Sequence, residues 1–326
     1  MSVASRLGHA LFCIGIAAIG TAAAAAQSAY PTRPIRVIVP YPPGGITDVT
    51  TRIVSQEIGR TFSQNVIVDN RPGANSILGV ELVASATPDG YTLASVIAAH
   101  AANQTLYPKL PYDSLKSFEP VSLLGTAPLI MCVTNSLPAK SVKELIELAK
   151  QKPGTLTFAS SGIGAAAHLT TELLMQLTGT KMVHVPYKGT APALQDLIGG
   201  QVTIMMDTSS SMLPHVRAGK IRAMGMASEK RAAVAPDVPT FVEQGVPLIG
   251  GTWVGILAPA KTPHDVVTRL SSAMAAAMQR PEVRERFAQL GIDPVGNTPA
   301  EFRKFLEEEI AKWAKVIKAA NVKIDM

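Results

Sequence analysis

The chain has 326 residues, of which 47% are hydrophobic, with two cysteines and a formal net charge of +6. This length exceeds the usual size of one domain, so we expect two domains of ordinary size. The basic residues are dispersed among acidic ones and are not grouped with aromatic residues, which argues against a nucleic-acid-binding surface.

The first 26 residues are typical of a secretory signal peptide. Arg6 supplies the positive start, residues 11–21 form an apolar stretch, and three alanines at 24–26 form a small-residue cleavage site. We therefore expect cleavage after Ala26 and a periplasmic protein. Only Cys132 then remains, so no internal disulfide can form. No later apolar run reaches the length of a membrane span.

From Ile35 onward, short β-rich segments alternate with helical patterns, which predicts an α/β fold. Several of the predicted strands are apolar on both faces, as expected for parallel strands covered by helices. They are IRVIVPY, NVIVDN, YTLASVIA, LTFASSG, MVHVPYK, VTIMMDT, IRAMGMAS and WVGILAPA. Helices are predicted at residues 47–61, 142–151, 166–178 and 192–198.

Capping signals mark the starts of two helices. Ser141 with Glu144, and Thr298 with Glu301, have the spacing of capping boxes. The closing helix carries an apolar stripe, which predicts packing on the core. The stripe consists of Phe302, Phe305, Leu306, Ile310, Trp313 and Ile317.

Two segments are predicted to cross between domains. One is the long extended segment 119–134, and the other is a return near residues 250–259. Two short crossings without a flexible linker predict two lobes that hinge over a cleft, a geometry that traps ligands. We predict that residues 27–126 and 252–326 form one lobe and residues 127–251 the other.

Two loops share one pattern of strand, glycines and helix. They are VPYPPGGITD at residues 39–48 and ASSGIGAAAH at residues 159–168. At a helix N-terminus up to four backbone N–H groups lack helical partners, and the helix dipole favours negative charge. Two such ends facing one cleft could bind a carboxylate without an arginine.

The second loop also invites two enzymatic interpretations. Gly162, Gly164 and Ala167 fit a dinucleotide-binding spacing, but the next strand lacks the acidic residue that would hold the ribose. Ser160 or Ser161 with His168 could form a hydrolase site, although the first glycine of the G-x-S-x-G motif is absent. The hydrolase remains the enzymatic alternative.

Other polar residues leave alternatives open. The histidines beyond the signal show no metal-binding spacing, so neither a metal nor a cofactor is predicted. Asp48 could be only a first-turn acid. Asp207 could accept a hydrogen bond from a ligand or fix its own loop, and Arg71 could face the cleft or form a surface ion pair.

Nine motifs, in order, resemble the Bug family of extracytoplasmic substrate-binding proteins associated with tripartite tricarboxylate transporters. They are YPTRPIRVIVPYPPGGITD, DNRPGAN, PDGYTL, LPYDSLKSFEPVSLLGTAPLIMCV, FASSGIGAAAH, VPYKGTAPALQDLIGGQV, AGKIRAMGMASEKR, PDVPTFVEQG and WVGILAPAKTP. The resemblance implies a type II periplasmic-binding-protein fold, capture of a small carboxylate or related solute without catalysis, and delivery to integral-membrane transporter subunits. We expect a monomer.

The resemblance also implies the ligand-binding residues. In the first loop they are Pro43, Gly44, Gly45, Thr47 and Asp48, and in the second Ser160, Ser161, Gly162, Gly164 and His168. Further cleft-lining motifs contribute Asn75, His100, Tyr187, Lys188 and Asp207. Ala166 and Ala167 depart from the family, in which a small polar residue often precedes the histidine, and Thr203 stands where an acid is common.

A ligand sensor on the same fold is a second alternative, since the residues do not reveal whether the partner is a transporter or a signalling protein. The identity of the ligand is also open. No arginine-rich clamp is evident, so a tricarboxylate has no advantage over other acids.

Overall fold

The computed structural model describes residues 30–324, so the predicted signal peptide lies outside the described residues. The strands are β1 (Ile35–Val39), β2 (Val66–Asn70), β3 (Thr92–Val96), β4 (Phe118–Thr134), β5 (Thr157–Ser160), β6 (Val183–Pro186), β7 (Ile204–Thr208), β8 (Ile221–Met226), β9 (Gly251–Pro259) and β10 (Asp293–Pro294). The helices are α1 (Ile46–Phe62), α2 (Ile77–Ala84), α3 (Ala98–Leu106), α4 (Val142–Gln151), α5 (Ala166–Thr178), α6 (Thr190–Ile198), α7 (Ser209–Arg217), α8 (His264–Met278), α9 (Pro281–Gln289) and α10 (Pro299–Ala319).

The strands form one sheet in the order β2-β1-β3-β9-β4-β7-β5-β6, with β8 and β10 also paired to β4. β1 runs parallel to β2 and β3, and β5 runs parallel to β6 and β7. Strands β7, β8 and β9 are antiparallel to β4. The predicted α/β class is therefore confirmed. Strand β9 is buried along nearly all of its length although it is antiparallel to both of its neighbours, β3 and β4.

Strand β4 belongs to two halves of this sheet. Its residues 118–128 pair with β9, and its residues 129–133 pair with β7. We call β1, β2, β3, β9 and the start of β4 the first half, and β5 to β8 with the end of β4 the second half. The predicted crossing at residues 119–134 is therefore one continuous strand.

The return crossing meets β4 where its partners change. The Ala227 N–H donates to the Leu129 carbonyl at 2.8 Å, and the Gly250 N–H donates to the Ala227 carbonyl at 3.0 Å. The Leu129 N–H in turn donates to the Gly250 carbonyl at 3.3 Å. Residues from Arg33 onward form one compact unit, so the lobe boundaries stay a prediction.

Helix ends and core packing follow the sequence patterns closely. Thr298 and Glu301 form the predicted capping box. Ser141 accepts the Glu144 N–H, but the Glu144 carboxylate accepts from the Lys140 N–H, one residue before the cap. The α10 stripe packs as predicted, with four of its side chains buried in the first-half core: Phe302, Leu306, Trp313 and Ile317.

Within residues 30–324, none of the helices combines the length and the apolar character that crossing a membrane requires.

Candidate functional site

Strand directions place two groups of loops opposite each other. β3 and β4 are both antiparallel to β9, so β1, β2 and β3 point the same way as β4, toward the second half. β7 is antiparallel to β4, so β5, β6 and β7 point back toward the first half. The loops that follow these strands therefore lie at the ends of the two halves that face each other. In open α/β sheets, the carboxyl ends of the strands are where ligands bind.

The first loop precedes α1. Pro43, Gly44 and Gly45 are exposed, and Gly44 has a φ of +85°, which favours glycine. The Gly44 N–H donates to Asp48 Oδ2 at 2.9 Å. The first helical bond of α1 runs from the Val49 N–H to the Gly45 carbonyl. The backbone N–H groups of residues 46–48 precede that bond and are free of helical partners.

Asp48 is held within the protein and is only 3% exposed. Its carboxylate also accepts from Arg52 Nε at 3.0 Å and from Asn70 Nδ2 at 2.9 Å. Burial opposes ionisation of this carboxyl, but the hydrogen bonds from Arg52, Gly44 and Asn70 outweigh burial and lower its pKa. The geometry therefore gives Asp48 a loop-holding role. Thr47 beside it is also buried.

The second loop repeats this plan before α5. Gly164 has a φ of +78°, and its N–H donates to His168 Nδ1 at 3.1 Å. The first helical bond of α5 runs from the Leu169 N–H to the Ala165 carbonyl. The N–H groups of residues 166–168 are therefore free of helical partners. His168 is 4% exposed, and the first turn of α5 contains no acid.

Ser160 is fully buried beneath the second loop. Its Oγ lies 2.9 Å from the Gly162 carbonyl and 2.7 Å from His184 Nε2. The His184 ring stacks on His168, with 3.7 Å between the ring centroids. Pairing of Ser160 with His168 was therefore wrong, because His168 Nδ1 is occupied by Gly164. Ser161 and Gly162 are half-buried.

His184 was not among the ligand-site residues predicted from the sequence. Burial, and secondly the electrostatic interaction with His168, lower its pKa to about 3, so it is neutral at pH 7. The register of β6 on β5 pairs His184 with Phe158, two residues before Ser160. A correct strand pairing was needed to find this contact, since the two residues are far apart in sequence.

The turn before α2 carries unusual backbone strain. Gly73, Ala74, Asn75 and Ser76 all have positive φ, with Asn75 at +50°. Such conformations cost about 1–3 kcal/mol each for residues other than glycine and cluster at functional sites. The Asn75 side chain donates to Asn103 Oδ1 at 2.8 Å, which ties the turn to α3.

The end of α3 also reaches the second loop. A Cβ placed on Gly164 would lie 2.5 Å from Leu106 Cδ1, so the loop backbone contacts this side chain closely. Leu106 is one turn from Asn103, the partner of Asn75. Helix α3 therefore brings the predicted residues Asn75 and Gly164 into one neighbourhood.

His100 lies in the core of the first half, and no part of it is exposed. Its Nε2 lies 2.8 Å from the Ser114 carbonyl, and its ring stacks on Tyr112. Burial lowers its pKa to about 4. A direct ligand contact by His100 was therefore wrong for this structure, because the core encloses its ring.

Three further predicted residues surround the second loop. The Tyr187 hydroxyl donates to Asp196 Oδ2 at 2.6 Å, while Lys188 is exposed. Asp207 accepts from Thr190 Oγ1 and from the Thr208 N–H, each at 2.7 Å. Asp207 therefore fixes its own loop, and burial raises its pKa.

Arg71 forms an exposed ion pair with Asp69.

A cavity of about 590 Å³ lies elsewhere, against the return crossing and α10. Its wall includes Gly250, Trp253 and Phe305 and none of the predicted ligand-binding residues. Among the described residues, no group of three or more His, Cys, Asp or Glu gathers as a metal site.

Comparisons with known proteins identify the family of this chain. Residues 50–322 match the model of the tripartite tricarboxylate transporter family receptor. The chain is 37% identical over 318 residues to protein BugT of Bordetella pertussis, covering 97% of this chain and 98% of that protein.

Solved structures show the same fold. MatC from Rhodopseudomonas palustris with bound malate is 35% identical, with a TM-score of 0.75, covering 88% of this chain and 100% of that one. The R. palustris protein Rpa4515 with adipate is 34% identical, with a TM-score of 0.79, covering 90% of this chain and 99% of that one. The two-lobe periplasmic-binding-protein fold is thereby confirmed.

Proposed function

The chain belongs to the tripartite tricarboxylate transporter receptor family, and from that premise we propose that it captures a small carboxylate between its two halves. The observation that carries the proposal is the pair of helix N-termini, α1 and α5, at facing strand ends. Relatives bind malate and adipate, which are both dicarboxylates. The receptor then delivers its ligand to integral-membrane transporter subunits.

Backbone N–H groups are sufficient to anchor a carboxylate here. A hydrogen bond to a charged group contributes roughly 1.5–3 kcal/mol net. Three or four such bonds, after the costs of association, can approach the roughly 8 kcal/mol of micromolar binding. The donors proposed are the free N–H groups of residues 46–48 and 166–168.

We propose two roles for the predicted site residues. Gly44, Gly45, Ser161 and Gly162 let the ligand approach the backbone, and Asn75, Tyr187 and Lys188 border the cleft. Asp48, His168 and Asp207 keep the loops in place through the hydrogen bonds that they accept. We also propose lobes at residues 27–126 with 252–326 and at 127–251, since β4 changes partners between residues 128 and 129.

We propose a monomeric binding protein without catalysis, located in the periplasm after signal cleavage. Ser160 is buried, and its Oγ donates a hydrogen bond to the Gly162 carbonyl. This arrangement does not suit a nucleophile, whose hydroxyl must be accessible to the substrate. Labelling by an activated phosphonate would contradict this part of the proposal.

The test is a thermal-shift screen of the mature, ligand-stripped protein against mono-, di-, tri- and aromatic carboxylates, amino acids and neutral amides. A saturable rise in Tm from one class of acid is expected from linkage between binding and folding. The proposal fails if no acid in the panel raises Tm and calorimetry of the same acids detects no heat of binding.

A further inference from the structure

The turn formed by residues 160–164 is held at both ends by histidines. At one end, Ser160 Oγ carries a single hydrogen, and the Gly162 carbonyl at 2.9 Å can only accept it. The Ser160–His184 contact at 2.7 Å therefore requires that His184 Nε2–H donates to Ser160. This contact assigns the tautomer of His184.

The other end of the turn depends on His168. Its Nδ1 accepts the Gly164 N–H at 3.1 Å, so its ring hydrogen lies on Nε2, facing Glu172 Oε1 at 3.5 Å. The two imidazole rings stack with 11° between their planes, and Phe158 packs on His184 at 4.8 Å between centroids. Because the two rings are stacked, movement of either ring would also disturb the hydrogen bond that the other ring makes to the turn.

Two features make this arrangement suitable for preorganising an anion site. Both tautomers leave the stacked rings uncharged, so neither histidine adds a charge at the N-terminus of α5. A loop fixed before binding also avoids the entropy cost of ordering it around the ligand.

Resting on the proposed function, we propose that His168 and His184 are positioning residues, which hold residues 160–164 in the conformation that binds an anionic ligand. They act through Gly164 and Ser160 and do not contact the ligand themselves.

The test compares the affinities of full-length mature variants for malate and adipate by titration calorimetry. His184→Phe keeps an aromatic ring for the stack but removes the N–H donor, and Ser160→Ala removes the acceptor. Each is expected to weaken binding about tenfold with a change in Tm of only a few degrees. The double variant should lose no more than Ser160→Ala alone, because Ser160→Ala already removes the hydrogen bond from His184 together with those to Gly162.

His264→Phe is the matched control, since His264 is exposed at the start of α8. It should bind both acids as tightly as the unmodified protein. The proposal is overturned if His184→Phe and Ser160→Ala also bind with unchanged affinity.

A spectroscopic measurement needs no ligand and separates this proposal from the proposed function. ¹⁵N spectra of the imidazole rings in the ligand-free protein should show the Nε2–H tautomer for both His168 and His184. The Nδ1–H tautomer in either ring overturns the positioning role even if carboxylates bind. Nε2–H tautomers without carboxylate binding support the loop geometry and reject the carboxylate ligand.

Discussion

The two glycine loops have one backbone plan, but different side chains hold it. Gly44 donates to Asp48 and Gly164 donates to His168, and both acceptors lie four residues later, in the first turn of a helix. The charge of Asp48 is met by Arg52 at 2.9 Å. His168 accepts through an imidazole nitrogen and is stacked on a second histidine.

This difference changes what each helix end offers a ligand. The Asp48 carboxylate already interacts with the N-terminus of α1, whereas the first turn of α5 contains no acid. Negative charge is favoured near a helix N-terminus by about 0.3–1 kcal/mol. The second loop is therefore expected to be the stronger carboxylate anchor, and the first loop the more rigid support.

Removal of the Asp48 carboxylate should have the largest effect on stability. Asp48→Ala leaves donors on Gly44, Arg52 and Asn70 without their acceptor, and we expect a loss of about 3–4 kcal/mol in the free energy of unfolding. Urea unfolding measures this change. Asp265→Ala, at a first-turn acid that is exposed, is the control and should cost about 0.5 kcal/mol or less. Equal losses in the two variants would contradict the loop-holding role.

Alanine substitutions at Gly44 and Gly164 should distinguish the energetic cost of backbone strain from the cost of a steric clash. Both glycines have positive φ, which costs alanine about 1–2 kcal/mol. A Cβ on Gly44 meets open space, whereas one on Gly164 meets Leu106. We expect Gly44→Ala to cost about 1 kcal/mol and Gly164→Ala about 2–3 kcal/mol in unfolding free energy. A larger loss at Gly44 would show that the loops are not packed as described.

The two loops should respond to acid in different ranges of pH. The His184 pKa is about 3 in the folded protein and about 6.5 when unfolded, so the unfolded chain binds more protons between these values. Stability therefore falls as pH is lowered from about 6.5 toward 3. Asp48 has a lowered pKa, so its contribution is complete above about pH 4 and is lost only below that value.

Urea unfolding at pH 7 and pH 5 checks the histidine part of this prediction. The unmodified protein should be less stable at pH 5, and His184→Phe should lose part of that dependence. His100, whose pKa is also lowered, to about 4, remains in both proteins and supplies the rest. An unchanged pH dependence in His184→Phe would mean that His184 does not stay neutral in the fold.

The smallest effect is expected from Lys188, an exposed cation beside the second loop. Lys188→Ala should leave the unfolding free energy within about 0.5 kcal/mol and weaken carboxylate binding about twofold at low salt, with no difference at high salt. Lys181→Ala, at another exposed lysine, is the control. A large, salt-independent loss in Lys188→Ala alone would make Lys188 a direct ligand contact.

The sequence was sufficient for several of the elements and insufficient for the contacts between them. Helices α4 and α5 begin and end where capping and periodicity predicted, because both signals are local. The Ser160–His184 contact depends on the register of two strands, which is set by the packing of the whole sheet. The buried position of His100 could not be predicted from the sequence either, because no local pattern distinguishes a buried histidine from one facing a cleft.

The shared strand β4 has a consequence for how the protein unfolds. Each half of the sheet pairs with a different part of this continuous strand, so loss of either half would leave its part of β4 unpaired beside the other half. Partial unfolding is therefore costly, and the free energy of opening one half approaches that of opening the whole. Circular dichroism of the whole chain and fluorescence of Trp253 and Trp313, both in the first-half core, should report one coincident denaturation transition, in which both halves melt together.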